Sequence, residues 1–191
     1  MPLIAVEGID GAGKSTLCHG LYKEISKKLP VILTYEPTRG VYGRKLRERI
    51  KEGNISPQEE YRLFMLDREE HVRNVIAPAL SQGKIVITDR YFLSSCAYQG
   101  ARGLDYARIC EENLRFPQPD LVILLDLPPE LALSRKSSKE EHFENLNFLK
   151  KVREIYLEVV KKHRNLVIDA RSPAEEILKK ALEEIKKCLR G

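Results

Sequence analysis

The stretch GIDGAGKST, residues 8–16, sets glycine, four residues, glycine, lysine and a hydroxyl in a row. Glycines let the backbone curl until its N–H groups line an anion nest, here from Gly8 through Gly11, Ala12 and Gly13. A helix opening at Lys14 adds the partial positive charge of its N-terminus. In this pattern Lys14 reaches the β and γ phosphates, the Ser15 hydroxyl suits Mg²⁺, and Thr16 follows in the first turn. The chemistry is the binding of a nucleoside triphosphate. The pattern alone serves a switch GTPase, an ATPase motor or a small-molecule kinase.

Three further segments bear on who receives the phosphate. TYEPTRG (34–40) places Arg39 in a Pro/Gly turn, either as a surface residue or as a grip on an acceptor phosphate. RLFMLDREEHV (62–72) puts Phe64 and Arg68 four apart, hence on one helix face. That pair is either a core ring beside an exposed cation or a platform that stacks on a base and bonds its edge. VITDRYFLSSCAYQG (86–100) ends an apolar run in Asp89-Arg90-Tyr91. Asp89 and Arg90 read there as a helix cap with its ion pair, or as groups facing the phosphate loop. The Asn-Lys-x-Asp segment expected of a guanine-specific GTPase is absent from the sequence.

These segments need a frame that brings them to one edge. Short continuous apolar runs at 3–7, 31–36, 84–89, 120–126 and 165–170 suit buried parallel strands covered on both faces. Helical patterns fall between them at 14–28, 41–52, 57–82, 91–100, 105–115, 129–162 and 173–189. SPQEE at 56–60 supplies a cap, a proline and early acids for one of them. The expected architecture is a single α/β domain over 1–191. It has a five-stranded parallel sheet, helices on both faces and the P-loop NTPase fold. In such folds ligands sit beyond the carboxyl ends of the strands, where all the segments above lie.

Composition narrows the surroundings. The 33 basic and 28 acidic residues interleave, so a net charge of +5 argues for no nucleic-acid arm. No apolar run approaches a membrane span, and the start MPLIAVEGID lacks the features of a signal peptide. The four cysteines, at 18, 96, 110 and 188, have no metal or redox spacing and read as buried thiols. A cytoplasmic protein is expected.

Taken together, GIDGAGKST, EPTRG, LFMLDR, DRYFLSSCAYQG, FPQPDLVILLDLPPELALSR and HFENLNFLKKVREIYL resemble the thymidylate kinase family, in the family's order and over essentially the whole chain. The resemblance implies ATP- and Mg²⁺-dependent phosphorylation of dTMP to dTDP. It implies that Asp10 bonds the sugar 3′-hydroxyl, Phe64 stacks on thymine and Arg68 donates to the thymine O4. Ser95 stands where the family bonds the base edge. Tyr98 is similar to the ring under the deoxyribose, with Gln99 alongside. Arg39 and Arg90 resemble the clamp on the dTMP phosphate, and Asp89 orients either Arg90 or a Mg²⁺-bound water. The family is usually a homodimer packed through helices, for which the apolar face of 57–82 can serve.

A lid is expected at 134–145, SRKSSKEEHFEN, polar and without apolar anchors. Arg135 resembles the residue that packs on adenine, with Ala170 and Arg171 in the loop beside it. Members with glycine at the place of Gly11 usually draw catalytic arginines from the lid. Here Glu141-His142-Phe143-Glu144 stands where the family often has Asp-Arg-Phe-Glu. Lys136, Lys139 and His142 are then the cations for the transferring phosphoryl, or a solvated charge cluster. The rival readings are another nucleoside-monophosphate kinase, a deoxynucleoside kinase and a nucleotide-binding regulatory module.

Overall fold

The computed structural model describes residues 1–53, 55–135 and 146–190. Five strands form one parallel sheet: β1 (Leu3–Glu7), β2 (Val31–Tyr35), β3 (Ile85–Asp89), β4 (Leu121–Asp126) and β5 (Asn165–Asp169), in the order β2-β3-β1-β4-β5. β1 is central because LIAVE is buried along its whole length, which only a strand flanked by neighbours and covered on both faces can be. In register, Val6 stands opposite both Asp89 and Ile123. The carboxyl ends of β1, β3 and β4 therefore open at one level.

The helices are α1 (Lys14–Ile25), α2 (Val41–Glu52), α3 (Pro57–His71), α4 (Ala77–Ser81), α5 (Phe92–Ala101), α6 (Tyr106–Glu112), α7 (Pro129–Arg135), α8 (Leu146–Val159) and α9 (Ala174–Arg190). Ser56 Oγ caps α3 by accepting from the Glu59 N–H at 3.1 Å, with Pro57 in the first turn, as SPQEE predicts. The single helix expected over 57–82 is interrupted. Val72–Ile76 forms a π-helical turn between α3 and α4. Pro78 supplies the reason: it has no N–H for the carbonyl four residues back and its ring presses on that carbonyl, so the preceding turn widens. The pattern at 105–115 tightens into a 3-10 turn, Asn113–Arg115. The stretch 129–162 is described as α7 and α8, with Val160–Lys162 a 3-10 turn.

The reading of four free thiols needs correction. Cys96 of α5 and Cys110 of α6 are paired as a disulfide with Cα atoms 6.0 Å apart, while Cys18 and Cys188 are free. The two helices approach closely at Gly100, where a Cβ would meet the Tyr106 Cβ at 2.8 Å. That contact is tertiary, and spacing along the chain does not announce it. Among the described residues no helix is long and apolar enough to cross a membrane.

Candidate active site

The glycine loop joins β1 to α1. Gly8 has φ 143° and an added Cβ would lie 2.6 Å from the Leu125 carbonyl oxygen, so the loop hugs β4 only without a side chain there. Gly13, at φ 92°, starts α1 from the left-handed region. Lys14 is buried beneath the loop, where its Nζ donates to the Ile9 carbonyl at 3.0 Å and lies 3.7 Å from Asp10 Oδ1. Burial strips water from this ammonium and Arg90 repels it, so its pKa falls to about 8. Ser15 Oγ donates to Asp89 Oδ2 at 2.6 Å, which joins the loop to the end of β3.

Arg90 has φ 71°, a left-handed backbone on a bulky residue, held by its N–H donating to the Val6 carbonyl at 2.9 Å. Its guanidinium is held by five groups. Nη1 donates to the Gly8 carbonyl at 3.3 Å, Ser94 Oγ at 3.1 Å and the Tyr156 hydroxyl at 3.3 Å. Nη2 pairs with Asp10 Oδ1, and the Tyr98 ring lies 5.1 Å from Cζ. The Tyr98 hydroxyl accepts from the Asp10 N–H at 3.3 Å. Asp10, Lys14, Ser15, Asp89, Arg90 and Tyr98 are thus one cluster, as their motifs suggest.

Behind Arg90 sits Glu7, which the sequence reading left unassigned. It is fully buried, accepting from the Tyr91 N–H at 2.9 Å and from Ser94 Oγ at 2.6 Å. Its signal was a lone carboxylate closing an apolar strand. Desolvation raises its pKa from 4.5 to about 7, against the pull of Ser94 and Arg90. A carboxyl whose folded pKa is raised binds more protons folded than unfolded between those values. Its stability contribution is whole below about 4.5 and lost as pH rises through 7. The loss is about 3 kcal/mol. Glu7→Gln should therefore erase one falling step in the stability of the wild type between pH 5 and 8. Urea denaturation at both pH values reads it, and parallel slopes in the two proteins would refute the assignment.

Arg68 corrects the picture of an exposed cation beside a core ring. It is 1% exposed, and Phe64 is the half-buried partner, packed on Leu46, Ile55 and Leu63. Arg68 Nε and Nη2 both donate to Glu36 Oε2, at 2.9 and 2.7 Å. Nη2 also donates to Ser95 Oγ at 3.1 Å, and Nη1 donates to Asn113 Oδ1 at 2.7 Å. Glu36 Oε1 lies 3.0 Å from His71 Nδ1. Burial works against the Glu36 carboxylate, but Arg68 and His71 outweigh it and its pKa is lowered. Gln99, one turn after Ser95 on α5, is buried, and its Oε1 has no hydrogen-bond partner in the structure.

Arg39 is not brought to the Arg90 cluster. It is exposed and lines a cavity of about 300 Å³ with Thr34, Glu70, His71 and Asn74. Arg153 is occupied by Asp126, with contacts of 2.6 and 2.8 Å at the end of β4. Ala170 is buried and Arg171 folds back on Asp169 at 2.6 Å. Arg135 closes α7, whereas Lys136, Lys139 and His142 lie outside the described residues, with the rest of the expected lid. Among the described residues no group of three or more His, Cys, Asp or Glu side chains could hold a metal. Magnesium does not require one, since it takes one or two protein oxygens with phosphates and water.

Comparison with known proteins bears on this geometry. The family model described as thymidylate kinase matches residues 6–181. The thymidylate kinase of Xanthomonas oryzae pv. oryzae is 45% identical over 185 residues, covering 94% of this chain and 80% of that protein. The thymidylate kinase of Xylella fastidiosa is 41% identical over 192 residues, covering 98% of this chain and 92% of that protein. The match takes in both the phosphate loop and the Arg68 and Arg90 groups, and the chain belongs to the thymidylate kinase family.

Proposed function

We infer that this protein is a dTMP kinase. An anionic oxygen of the dTMP phosphate attacks the γ-phosphorus of ATP in line, the bond to the β,γ-bridging oxygen breaks, and dTDP and ADP leave. The acceptor oxygen is already ionised, so no general base is needed, and catalysis is positioning plus charge neutralisation. The observation that carries the reading is that Lys14 Nζ and Arg90 Nη2 meet on one oxygen, Asp10 Oδ1. A donor-phosphate lysine and an acceptor-phosphate arginine converge where a phosphoryl group would pass between them. Asp10 is then freed for the sugar hydroxyl.

Ser15 Oγ and Asp89 Oδ2, 2.6 Å apart, fit a magnesium ion shared with phosphates and water. Bound there, Mg²⁺ neutralises charge on the triphosphate. Gly8 to Thr16 cradle the phosphates. The base edge is read as a donor beside an acceptor: Arg68 gives to O4 and the unpartnered Gln99 Oε1 takes the N3–H. Ser95, where the family bonds the base edge, also holds Arg68 Nη2, Phe64 stacks, and Tyr98 packs under the sugar. Cytosine presents the opposite pattern at both positions and leaves buried groups unpaired. Arg39 joins Arg90 on the phosphate by a swing of its exposed side chain. Arg135, Lys136 and Lys139 cover the transferring phosphoryl from the lid, within one kinase domain in the cytoplasm. For a homodimer, half-buried Leu66 and exposed Val75 are apolar side chains of 57–82 left for a second copy.

The test is ADP release from Mg·ATP with dTMP, dUMP, dCMP, dGMP, AMP and thymidine. Preference for dTMP over dCMP of roughly 100-fold or more is expected from the two inverted hydrogen bonds. Turnover with thymidine but not dTMP would remove the monophosphate reading, and equal use of dCMP would remove the base pocket.

A further inference from the structure

Arg68 has five N–H bonds, and four are committed inside the protein. Two go to Glu36 Oε2, one to Ser95 Oγ and one to Asn113 Oδ1. The fifth, on Nη1, faces only the Met65 sulfur at 4.0 Å, a weak acceptor. The Tyr91 ring lies 5.3 Å from the guanidinium carbon and closes one face.

Asn113 Oδ1 makes the short contact on Nη1, at 2.7 Å. Asn113 is 0% exposed and begins the 3-10 turn after α6. Its amide has one orientation only. Nδ2 donates to the Ile109 carbonyl at 2.8 Å, an acceptor that a flipped amide oxygen could not face. Nδ2 also reaches the Tyr61 hydroxyl at 3.4 Å, whose own proton is given to Glu112 Oε2 at 2.8 Å. Oδ1 is therefore turned to Arg68 before any ligand arrives. The planar guanidinium fixes the directions of its N–H bonds, so aiming them means fixing the plane. Glu36 grips the Nε–Nη2 edge and Asn113 grips the Nη1 corner, so the plane cannot pivot about the Glu36 contact.

We propose that Asn113 is a positioning residue for base selectivity, which aims the Arg68 Nη1 proton at the base carbonyl by holding its twin. The inference rests on the reading of Arg68 as the donor to O4. Without Asn113, the guanidinium can pivot about its Glu36 edge and a buried N–H is short of an acceptor, so dTMP binding weakens and the penalty against cytosine shrinks. The ATP side, held by Lys14 and the glycine loop, is untouched.

The experiment is steady-state kinetics of Asn113→Leu and Asn113→Asp beside Arg68→Met, with dTMP, dCMP and ATP varied in turn. Asn113→Leu should raise KM for dTMP roughly 10- to 100-fold, the worth of a hydrogen bond to a charged group. KM for ATP should stay within about twofold, and the dTMP-to-dCMP preference should fall. Asn113→Asp keeps an oxygen on Arg68 but sets its second oxygen against the Ile109 carbonyl, so it should recover the preference only in part and at a cost in stability. An unchanged KM for dTMP, or a parallel rise in KM for ATP, overturns the proposal. A collapse of preference in Arg68→Met but not in Asn113→Leu overturns it alone, whereas no change in Arg68→Met removes the base reading beneath it. The wild type gives a reading that no misfolded variant can spoil. Its Arg68 Nη1 protons, slowed by the bond to Asn113, should give two resolved NMR signals, and one averaged signal, which means a bond too short-lived to hold the plane, overturns the proposal.

Discussion

Lys14→Ala should lose turnover by roughly 10²–10³ or more and yet be the more heat-stable protein at pH 7. Both halves follow from the same burial. The ammonium sits at 7% exposure, with one carbonyl and one distant carboxylate as partners. Those contacts do not make up for lost water, which is why its pKa falls to about 8. A lysine whose folded pKa is depressed binds fewer protons folded than unfolded between about 8 and 10.5. Its charge therefore costs stability below pH 8, about 3 kcal/mol, and the cost fades as pH rises towards 10.5. Under the proposed function a bound triphosphate supplies the missing partner. Alanine relieves the cost and removes the partner's attraction. Coupled assay of ADP release and thermal denaturation at pH 7 and 10 measure both. Activity within tenfold of wild type, or a stability gain that does not shrink with pH, would contradict the role.

Arg68→Met should be the most damaging single change to the fold in this region, by about 3–5 kcal/mol, because Glu36 is then a buried carboxylate without its counter-ion. For a chain of 191 residues that is a drop of about 10 °C or more in Tm. The double variant Glu36→Gln/Arg68→Met should regain most of the loss, since a neutral pair in the same space carries no uncompensated charge. Preference for dTMP over dCMP should stay lost in the double variant. Recovery of stability without recovery of selectivity separates the two roles of the ion pair. A double variant no more stable than Arg68→Met would show that the damage lies in packing, not charge.

The contrast between Lys14 and Arg68 also explains what was legible in the sequence. The phosphate loop and the strands are local: LIAVE, the glycines and the helix start lie within about two dozen residues and need no distant partner to be read. The surroundings of Arg68 are not local. Glu36, Ser95 and Asn113 lie 32, 27 and 45 residues away, so its burial could not be inferred from the helix that bears it. The same holds for Cys96 and Cys110, joined by helix packing at Gly100. The break after His71 was readable, since Pro78 stands in plain view inside the apolar pattern. Arg39 was placed by its motif, but a turn fixes a backbone and leaves a long exposed side chain free to point elsewhere.

Arg90 stands in a conformation that glycine or asparagine would adopt at less cost. Relaxing the backbone there would mean giving up the guanidinium, and with it the contacts to Gly8, Ser94, Tyr156 and Asp10 that hold the strain in place. If this guanidinium is the acceptor clamp, as proposed, the same bonds keep the loop, β3 and α8 fixed around the phosphate before it arrives.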